Sequence, residues 1–397
     1  MLRLAWRWFA ALLGLSLLLG LAGCETLGFY TQAVSGQLSI THRRQPVDEL
    51  LEELRRAPAD PESQRLLAQL ELSRDILSFA DEHLGLEVGG RYQTFVQLHD
   101  PYVVWNVFAA PELVLTPRSW CYLMVGCAPY RGYFTQRRAQ RYAAKLAARG
   151  FDTYVGGVPA YSTLGWFADP LLSSFIFWHQ RDLAALLLHE LAHGRVWVES
   201  DVAFNEAFAT FVGRQGAREF LSTRVSGNAE EPPRSAWPEM LALLLSVREA
   251  LEGVYSRDVS DGEKREGKRQ ILSQARSCYA DHRRQLGAGR FDALIDGINN
   301  AYLVSLTTYE EAVPAFVEIF AAEGGDWAGF FAAVQALAEL APAERERRVT
   351  ALREQQVANA GNDEGAQHIQ CDAFFGHGLD GKAAGAEDDD VGRSSHG

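Results

Sequence analysis

Two histidines and a glutamate in the segment His189-Glu190-Leu191-Ala192-His193 have the types and spacing needed to bind and use a metal ion. Side chains four residues apart leave the same face of an α-helix, so both imidazoles can ligate one Zn²⁺. Glu190 lies about 100° around the helix and can deprotonate a zinc-activated water molecule, which then attacks a carbonyl group. A plain buried helix has little reason to carry three polar side chains, because burying them unpaired is unfavourable. The segment therefore predicts a hydrolytic site with one zinc ion.

A third ligand is expected downstream of the two histidines. Metzincins have glycine and histidine at the positions that here hold Val196 and Glu199, so that class is excluded. Residues 205–211 predict a second helix with a phenylalanine-rich apolar face, and Glu206 stands among those apolar residues without a local cationic partner. We therefore take Glu206 as the third ligand. Glu199 or Asp201, from the connecting loop, is the alternative.

Hydrolysis also requires a hydrogen-bond donor for the oxyanion that develops on the attacked carbonyl. Tyrosines are the candidates: Tyr302 first, followed by Tyr309 and Tyr161. For each of them the alternative is a packed aromatic ring whose hydroxyl has a structural hydrogen-bond partner.

The N-terminal segment predicts export from the cytoplasm. Arg3 and Arg7 precede an almost wholly apolar run over residues 9–21. This run is shorter than the roughly 18 apolar residues that a membrane span needs, and its flanks are those of a signal peptide. We therefore expect residues 1–23 to be a signal peptide.

Residues 21–24, Leu-Ala-Gly-Cys, resemble a bacterial lipobox. The resemblance implies that Cys24 is lipidated and becomes the first residue of the mature chain, followed by a tether over residues 24–44. Glu25, at the next position, would favour sorting to the outer membrane of a Gram-negative cell. We therefore expect a lipid-anchored protein of the cell envelope that faces the periplasm, with the membrane as a partner through Cys24.

Export affects how the other cysteines are interpreted. Cys121 and Cys127 enclose five residues, a length compatible with a small disulfide-closed loop in an oxidising compartment, and two buried thiols are the alternative. Cys278 and Cys371 have no evident partner. None of the cysteines has metal-site spacing, so the zinc ion must be bound by histidine and glutamate.

The composition fits a globular body behind the anchor. Of the 397 residues, 47% are hydrophobic and 22% are charged, which is enough to bury a sizeable core. The formal net charge of −13 and the isoelectric point near 5.3 argue against nucleic acid or an anionic membrane surface as a partner.

Periodicity and Pro/Gly positions give the organisation of the chain. We expect an α+β fold with a small, mainly antiparallel sheet, two active-site helices and a helical C-terminal lobe. The predicted zinc domain covers residues 45–360 and is followed by a disordered tail over 361–397. Within the domain we predict a helical hairpin over 45–84, a sheet-containing lobe over 85–180 with a helix at 136–149 and a strand at 151–158, and the active-site helices with the helical lobe over 181–360.

Four segments together resemble a bacterial lipoprotein family of zinc aminopeptidases, within the broader gluzincin type. They are the zinc helix, residues 205–211, residues 156–167, and Cys121 with residues 127–134. The likeness runs from about Glu49 to Leu340, which is most of the mature chain, and it implies that the α+β fold is that of a zincin-like metallopeptidase.

The resemblance implies a zinc ion at His189, His193 and Glu206, with Glu190 as the base. It also implies that residues 156–165 supply an edge strand along which a peptide substrate lies, paired by main-chain hydrogen bonds. The substrate-binding residues would then be Gly157, Ala160 and Tyr161.

Two positions depart from the family pattern. Many gluzincins have an aspartate four residues after the glutamate ligand that orients a zinc-bound histidine, but here that position is Thr210, and Asn205 is a candidate replacement. An aminopeptidase also needs an acidic group for the free amine of its substrate, and Asp169 is the nearest candidate.

Three functions fit this sequence. The first is a zinc aminopeptidase acting on peptides, the second an endopeptidase that processes envelope proteins with the same site residues, and the third a non-catalytic scaffold stabilised by zinc. Structural zinc sites usually have four protein ligands, whereas this site offers three and an intact Glu190, which favours catalysis.

Overall fold

The computed structural model of the chain describes residues 26–56, 60–122, 126–160, 168–224 and 236–360. The predicted signal peptide, Cys24, Tyr161 and the tail over 361–397 lie outside these residues. None of the described helices has the length and apolar character needed to cross a bilayer.

Helices predominate among the described residues, with short strands in the first half of the chain. In chain order the elements are α1 (26–42), β1 (Gln45–Pro46), α2 (Val47–Arg56), α3 (Pro61–Leu84), β2 (Thr94–Val96), β3 (Val104–Pro111), β4 (Trp120–Tyr122), β5 (Gly126–Ala128), β6 (Tyr130–Tyr133), α4 (Gln136–Ala147), β7 (Phe151–Val158), β8 (Leu171–Leu172), α5 (Gln180–Ala192), α6 (Val202–Arg224), α7 (Trp237–Tyr255), α8 (Asp261–Asp281), α9 (Asp292–Asp296), α10 (Asn300–Glu310), α11 (Val313–Ala322), α12 (Trp327–Ala338) and α13 (Pro342–Ala360).

The chain divides into two compact units. The first comprises Met1–Pro233 with Asn299–Ala366, and the second comprises Arg234–Ile298 with Gln367–Gly397. The domain predicted over 45–360 therefore contains an inserted helical unit, which the sequence analysis did not separate.

Helices α2 and α3 occupy the region of the predicted helical hairpin. The side chain of Asp60 accepts hydrogen bonds from the backbone N–H groups of Glu62 and Ser63, and Pro61 occupies the first turn of α3. Gly85 ends α3 with a left-handed φ of 65°. The proline-rich break in the sequence thus begins the second helix of the pair.

The main sheet has the strand order β6-β3-β7 and is antiparallel throughout. A second sheet, β1-β2-β8, includes one parallel pair, and β4 and β5 form a hairpin closed by the Cys121–Cys127 disulfide. Side chains alternate across a strand, so β3 presents Trp105, Val107 and Ala109 to α4, and the residues between them to the opposite face.

Helices α5 and α6 pack closely in the core of the first unit. Gly213 of α6 makes this possible, because a Cβ there would collide with the Ala185 carbonyl and lie 3.1 Å from the His189 Cβ. Phe208 of α6 is fully buried against Phe316 of α11. Helices α11 to α13 thereby support the helix pair from the side of the C-terminal lobe.

The second unit contains α7, α8 and α9. Helix α8 begins with a capping box in which the side chains of Ser260 and Glu263 bond each other's backbone N–H groups. Gly267 brings α8 close to α7, since a Cβ there would lie 2.8 Å from Val254. Cys278 of α8 is disulfide-bonded, although the sequence analysis found no partner for it.

Candidate metal and catalytic site

Helix α5 fixes both histidines by burying its apolar side in the core. Leu187, Leu188 and Leu191 are at most 1% exposed, and the helix ends at Ala192 with His193 as its C-cap. His189 and His193 leave the same face, with their Nε2 atoms 3.2 Å apart and their rings nearly perpendicular at 87°.

Glu206 of α6 completes a group of three potential ligands. Its Oε2 atom lies 3.2 Å from His189 Nε2 and 3.7 Å from His193 Nε2. In a tetrahedral site with metal–ligand bonds of about 2.1 Å, ligand atoms lie about 3.4 Å apart. The three side chains therefore fit around one ion, and this group could bind a metal.

The two alternative ligands of the sequence analysis, Asp201 and Glu199, lie in the loop between α5 and α6. Asp201 accepts a hydrogen bond from the Phe204 N–H and forms an ion pair with the buried Arg345, with 2.8 Å between Nε and Oδ2. Glu199 is exposed. Neither of the alternative loop ligands joins the histidines in the metal-binding group.

Asn205 does not take the place of the aspartate that orients a zinc-bound histidine in many gluzincins. Its amide donates to the Val198 carbonyl at 2.7 Å and accepts from the Val198 N–H at 2.9 Å, so it fixes the loop rather than a histidine. The Nδ1 atom of His193 is buried and has no hydrogen-bond partner among the described residues.

Electrostatics put His193 and Glu206 in forms that bind metals. Burial lowers the pKa of His189, but the hydrogen bond to Glu206 and the charges of Glu206 and Glu190 outweigh it, so this pKa lies above its ordinary value. Burial lowers the pKa of His193 to about 4, which keeps this imidazole neutral at pH 7. Burial raises the pKa of Glu206, but His193 and the hydrogen bond from His189 outweigh it, so the pKa lies below its ordinary value. An ionised carboxylate and a neutral imidazole are the protonation states that metals require.

Glu190 lies beside this group without joining it. Its side chain is 8% exposed, and burial raises its pKa to about 7, with Glu206 and Asp169 contributing and His189 opposing. A carboxylate with a pKa near the working pH can both accept and return a proton.

Tyr130 of β6 is a site residue that the sequence analysis missed. Burial raises its pKa, and the carboxylates of Glu206 and Glu190 raise it further, so its phenol lies within electrostatic reach of both. Tyr130 lies in the segment 127–134 that carried the family resemblance, three residues after the disulfide-bonded Cys127. Its position in this segment is the signal by which the sequence could have identified it.

The disulfide hairpin contacts the loop that leads into α6. The Cys127 N–H donates to Ser200 Oγ at 3.3 Å. Gly126 has a φ of 74°, and a Cβ there would collide with the Ser200 side chain. The hairpin thus links the strand that carries Tyr130 to the helix that carries Glu206.

Asp169 and Tyr92 are two further buried residues close to Glu190. Asp169 is 4% exposed, and its backbone carbonyl accepts a 2.6 Å hydrogen bond from the Tyr92 N–H. Tyr92 has a φ of 64°, a conformation that side chains rarely adopt and that concentrates at functional sites. Burial and the charges of Glu190 and Asp169 raise the pKa of the Tyr92 phenol.

The structure places Tyr302 elsewhere. Its ring packs edge-on against Tyr154 of β7, with centroids 4.8 Å apart, and the Tyr154 phenol is the group that acts on its pKa besides burial. The side chain of Tyr309 lies outside the described part of the chain, as does Tyr161. Tyr302 therefore matches the alternative considered for it, a packed aromatic side chain.

The predicted substrate strand is only partly described. Strand β7, which contains Gly157, is an edge of the β6-β3-β7 sheet, and Ala160 beyond it is buried. The Tyr102 ring covers Gly157. Among the described residues, the site carboxylates raise the pKa of Tyr130 on β6, in addition to burial. The pKa of Tyr154 on β7 is raised by burial and by Tyr102 instead.

Comparison with known proteins identifies the family. A family model described as "Putative aminopeptidase" matches residues 28–349. No curated protein matches the chain, and no solved structure matches it. The matched range contains β6, α5 and α6 with all the site residues above and covers most of the 397 residues, so the chain belongs to this aminopeptidase family.

Proposed function

We propose that the protein is a zinc-dependent aminopeptidase of zincin-like fold that hydrolyses peptide bonds in the bacterial cell envelope. The observation that carries the proposal is the group formed by the partly buried His189 with the buried His193 and Glu206, and with Glu190 beside it at a pKa of about 7. Membership of the aminopeptidase family supports the reaction class.

Zinc suits the donor set of the site. Two imidazole nitrogens and one carboxylate oxygen match catalytic zinc sites, which have three protein ligands and leave a position for substrate or water. When bound, zinc supplies Lewis acidity that acidifies water and polarises a carbonyl group. His189, His193 and Glu206 would hold it.

Glu190 and Tyr130 have separate roles in this proposal. Glu190 accepts a proton from the attacking water and returns it to the amine that leaves. Tyr130 stays neutral at pH 7 because its pKa is raised, so its hydroxyl can donate a hydrogen bond to the oxyanion of the substrate. We assign this role to Tyr130 in place of Tyr302.

Asp169 is the proposed partner of the substrate's free amine. A buried ammonium needs a carboxylate, since an unpaired charge out of water costs several kcal/mol. Asp169 is buried and close enough to Glu190 to raise its pKa. An endopeptidase would have no use for this pairing, so the two activities differ in their dependence on a free amine.

The proposed location follows from the lipobox-like residues 21–24 and the disulfides. Cys121, Cys127 and Cys278 are all disulfide-bonded, as is usual in an oxidising compartment. We propose that the chain is acylated at Cys24 and held at the outer membrane, facing the periplasm.

The test measures zinc content and hydrolysis in the same preparations. We expect one zinc per chain, cleavage of fluorogenic amino-acid amides that chelators abolish, and no cleavage of N-acetylated substrates. Glu206→Ala should lose zinc, whereas Glu199→Ala, in the same region but exposed, should keep it. Full zinc occupancy in Glu206→Ala would contradict the ligand set. Internal cleavage of acetylated peptides would assign an endopeptidase, and zinc without any hydrolysis would assign a scaffold.

A further inference from the structure

Helix α1 carries an apolar stripe that points away from the protein. Its inner side is buried, as shown by Gln32 at 5% and Ile40 at 2% exposure. Leu27, Val34 and Leu38 leave the opposite side and are 68%, 59% and 51% exposed. The sequence of residues 26–42 contains no aspartate, glutamate, lysine or arginine. Apolar side chains of this size in one exposed stripe are typical of a surface that meets another apolar medium.

A basic face on α4 lies beside this helix. Arg138, Arg141 and Lys145 follow at intervals of three and four residues, so they share one exposed side of the helix, and the exposed Arg149 lies two residues beyond its end. The sequence of α4 contains no acidic residue. In the described part of the chain, none of these four cations forms an ion pair. Four cations therefore share one surface without a neutralising carboxylate.

Two cavities of about 260 and 280 Å³ open between α1 and α4. Both are lined by Arg131, Tyr142 and Lys145, and α1 contributes Phe29 to one and Thr26 to the other. They are of the size and charge to take phosphate groups. The apolar stripe and the basic face thus belong to neighbouring parts of one surface.

Arg131 is held at the junction of the two cavities. Its guanidinium lies 4.3 Å from the centroid of the Phe29 ring and 4.7 Å from that of Tyr142. It donates a hydrogen bond to the Tyr142 hydroxyl at 3.2 Å, while its buried Nε meets no acceptor in the part of the chain that the structure describes. A guanidinium fixed in this way, with donors to spare, is suited to an anionic oxygen group.

We propose that α1 and the basic face of α4 form a docking surface for a bilayer that contains anionic phospholipids. Headgroup phosphates would lie at the two cavities, and Leu27, Val34 and Leu38 would enter the boundary between headgroups and acyl chains. This proposal extends the proposed attachment at Cys24, because the described part of α1 starts two residues after that cysteine in the sequence.

The surface explains how an acidic protein can lie on an anionic membrane. The net charge of −13 argued against an anionic membrane surface as a partner. This charge is a sum over the whole chain, however, and it conceals a local basic cluster. Free phosphate or an acidic polypeptide would match the basic face, but neither would explain the apolar stripe of α1 beside it. The bilayer accounts for both features.

Docking in this way leaves the catalytic face free. Arg131 and Tyr130 are consecutive residues of β6 and therefore point to opposite faces of the sheet. Arg131 lines the basic cavities, whereas Tyr130 faces the site carboxylates. The main sheet thus lies between the proposed membrane surface and the side that faces the metal group.

The test uses the full chain in nonionic-detergent micelles into which phosphatidylglycerol or phosphatidylcholine is titrated. Hydrogen exchange is followed in residues 26–42 and in α4. We expect phosphatidylglycerol to slow exchange in both helices and phosphatidylcholine to leave α4 unchanged. Arg138→Gln with Arg141→Gln and Lys145→Gln should remove this difference, since three such charges carry about a hundredfold in affinity for an anionic surface.

Matched controls separate this surface from general charge effects. Arg257→Gln with Arg284→Gln and Arg290→Gln removes the same charge from exposed residues outside the surface and should change nothing. Val34→Ser with Leu38→Ser should weaken protection of α1. Equal protection by both lipids, equal loss in the control, or protection by inorganic phosphate or polyglutamate without lipid would overturn the proposal. Hydrolysis of a soluble amide in the same samples tests the proposed function independently.

Discussion

The two outer strands of the main sheet each place a tyrosine opposite Phe108, but the two tyrosines have different surroundings. Tyr130 on β6 and Tyr154 on β7 are both register partners of Phe108, so all three side chains share one face of the sheet. Tyr130 lies near the carboxylates of Glu206 and Glu190. Tyr154 contacts the ring of Tyr302 instead.

The difference shows that register alone does not make a tyrosine functional. Burial raises the pKa of both phenols and keeps both neutral, so both hydroxyls are hydrogen-bond donors. What distinguishes them is the element packed beside each strand. The disulfide hairpin contacts the loop of the metal-binding helices next to β6, whereas α10 covers β7 with aromatic packing.

The largest expected effect is on turnover, and it concerns Glu190, one of the two carboxylates near Tyr130. Glu190→Gln removes the proton acceptor but keeps all three metal ligands, so turnover should fall about 100- to 10,000-fold with unchanged zinc content. Steady-state kinetics and metal analysis check this together. Glu199→Gln, an exposed carboxylate on the connecting loop, is the matched control. A Glu190→Gln protein that cleaves as fast as the parent would sink the proposed mechanism.

The next effect compares the two tyrosines directly. Tyr130→Phe should lower kcat by about 100- to 1,000-fold with little change in KM, because an oxyanion donor acts mainly in the transition state. Tyr154→Phe keeps the ring at the equivalent register position and should leave kcat unchanged. Equal losses in the two variants would mean that the hydroxyls matter for packing rather than for catalysis.

The sequence predicted the parts of the site that depend on local spacing. His189, Glu190 and His193 are fixed by a single helix, and Glu206 was separable from Glu199 by its apolar neighbours. Tyr130 was not predicted, because its approach to Glu206 depends on strand pairing and on a hairpin contact between distant segments. Tyr302 looked equally suitable in the sequence, which does not show that its ring meets Tyr154.

The same limit applies to the fold. The strand at 151–158 and the start of α4 at Gln136 were predicted correctly, since alternation and helical periodicity are local signals. The separate unit formed by residues 234–298 was not, because its boundaries depend on which helices contact each other. Cys278 shows the same effect: its disulfide depends on tertiary structure rather than on spacing.

A third prediction concerns the free energy that burying the Glu190 carboxylate, near Tyr130, costs the folded protein. Burial raises its pKa from 4.5 to about 7 in the metal-free fold, which is equivalent to about 3 kcal/mol. As pH rises, Glu190 ionises at a lower pH in the unfolded chain than in the folded one. The free energy of unfolding of the metal-free parent should therefore fall by this amount between pH 4.5 and 7. The metal-free Glu190→Gln protein should not show this fall, because glutamine does not ionise. Urea unfolding of both proteins at pH 4.5 and pH 8 gives the comparison, and parallel pH profiles would contradict it.

The smallest effect is expected on the β7 side, where the Tyr154–Tyr302 contact is structural. Tyr302→Phe should leave kcat unchanged, because this hydroxyl has no role at the metal group. An edge-to-face aromatic pair contributes about 0.5–1.5 kcal/mol beyond the area that it buries. A double-mutant cycle with Tyr154→Leu and Tyr302→Leu should show a coupling of that size in the free energy of unfolding. If Tyr302→Phe instead lowers kcat as much as Tyr130→Phe, the oxyanion donor lies on the β7 side, and β6 serves only to hold the loop before α6.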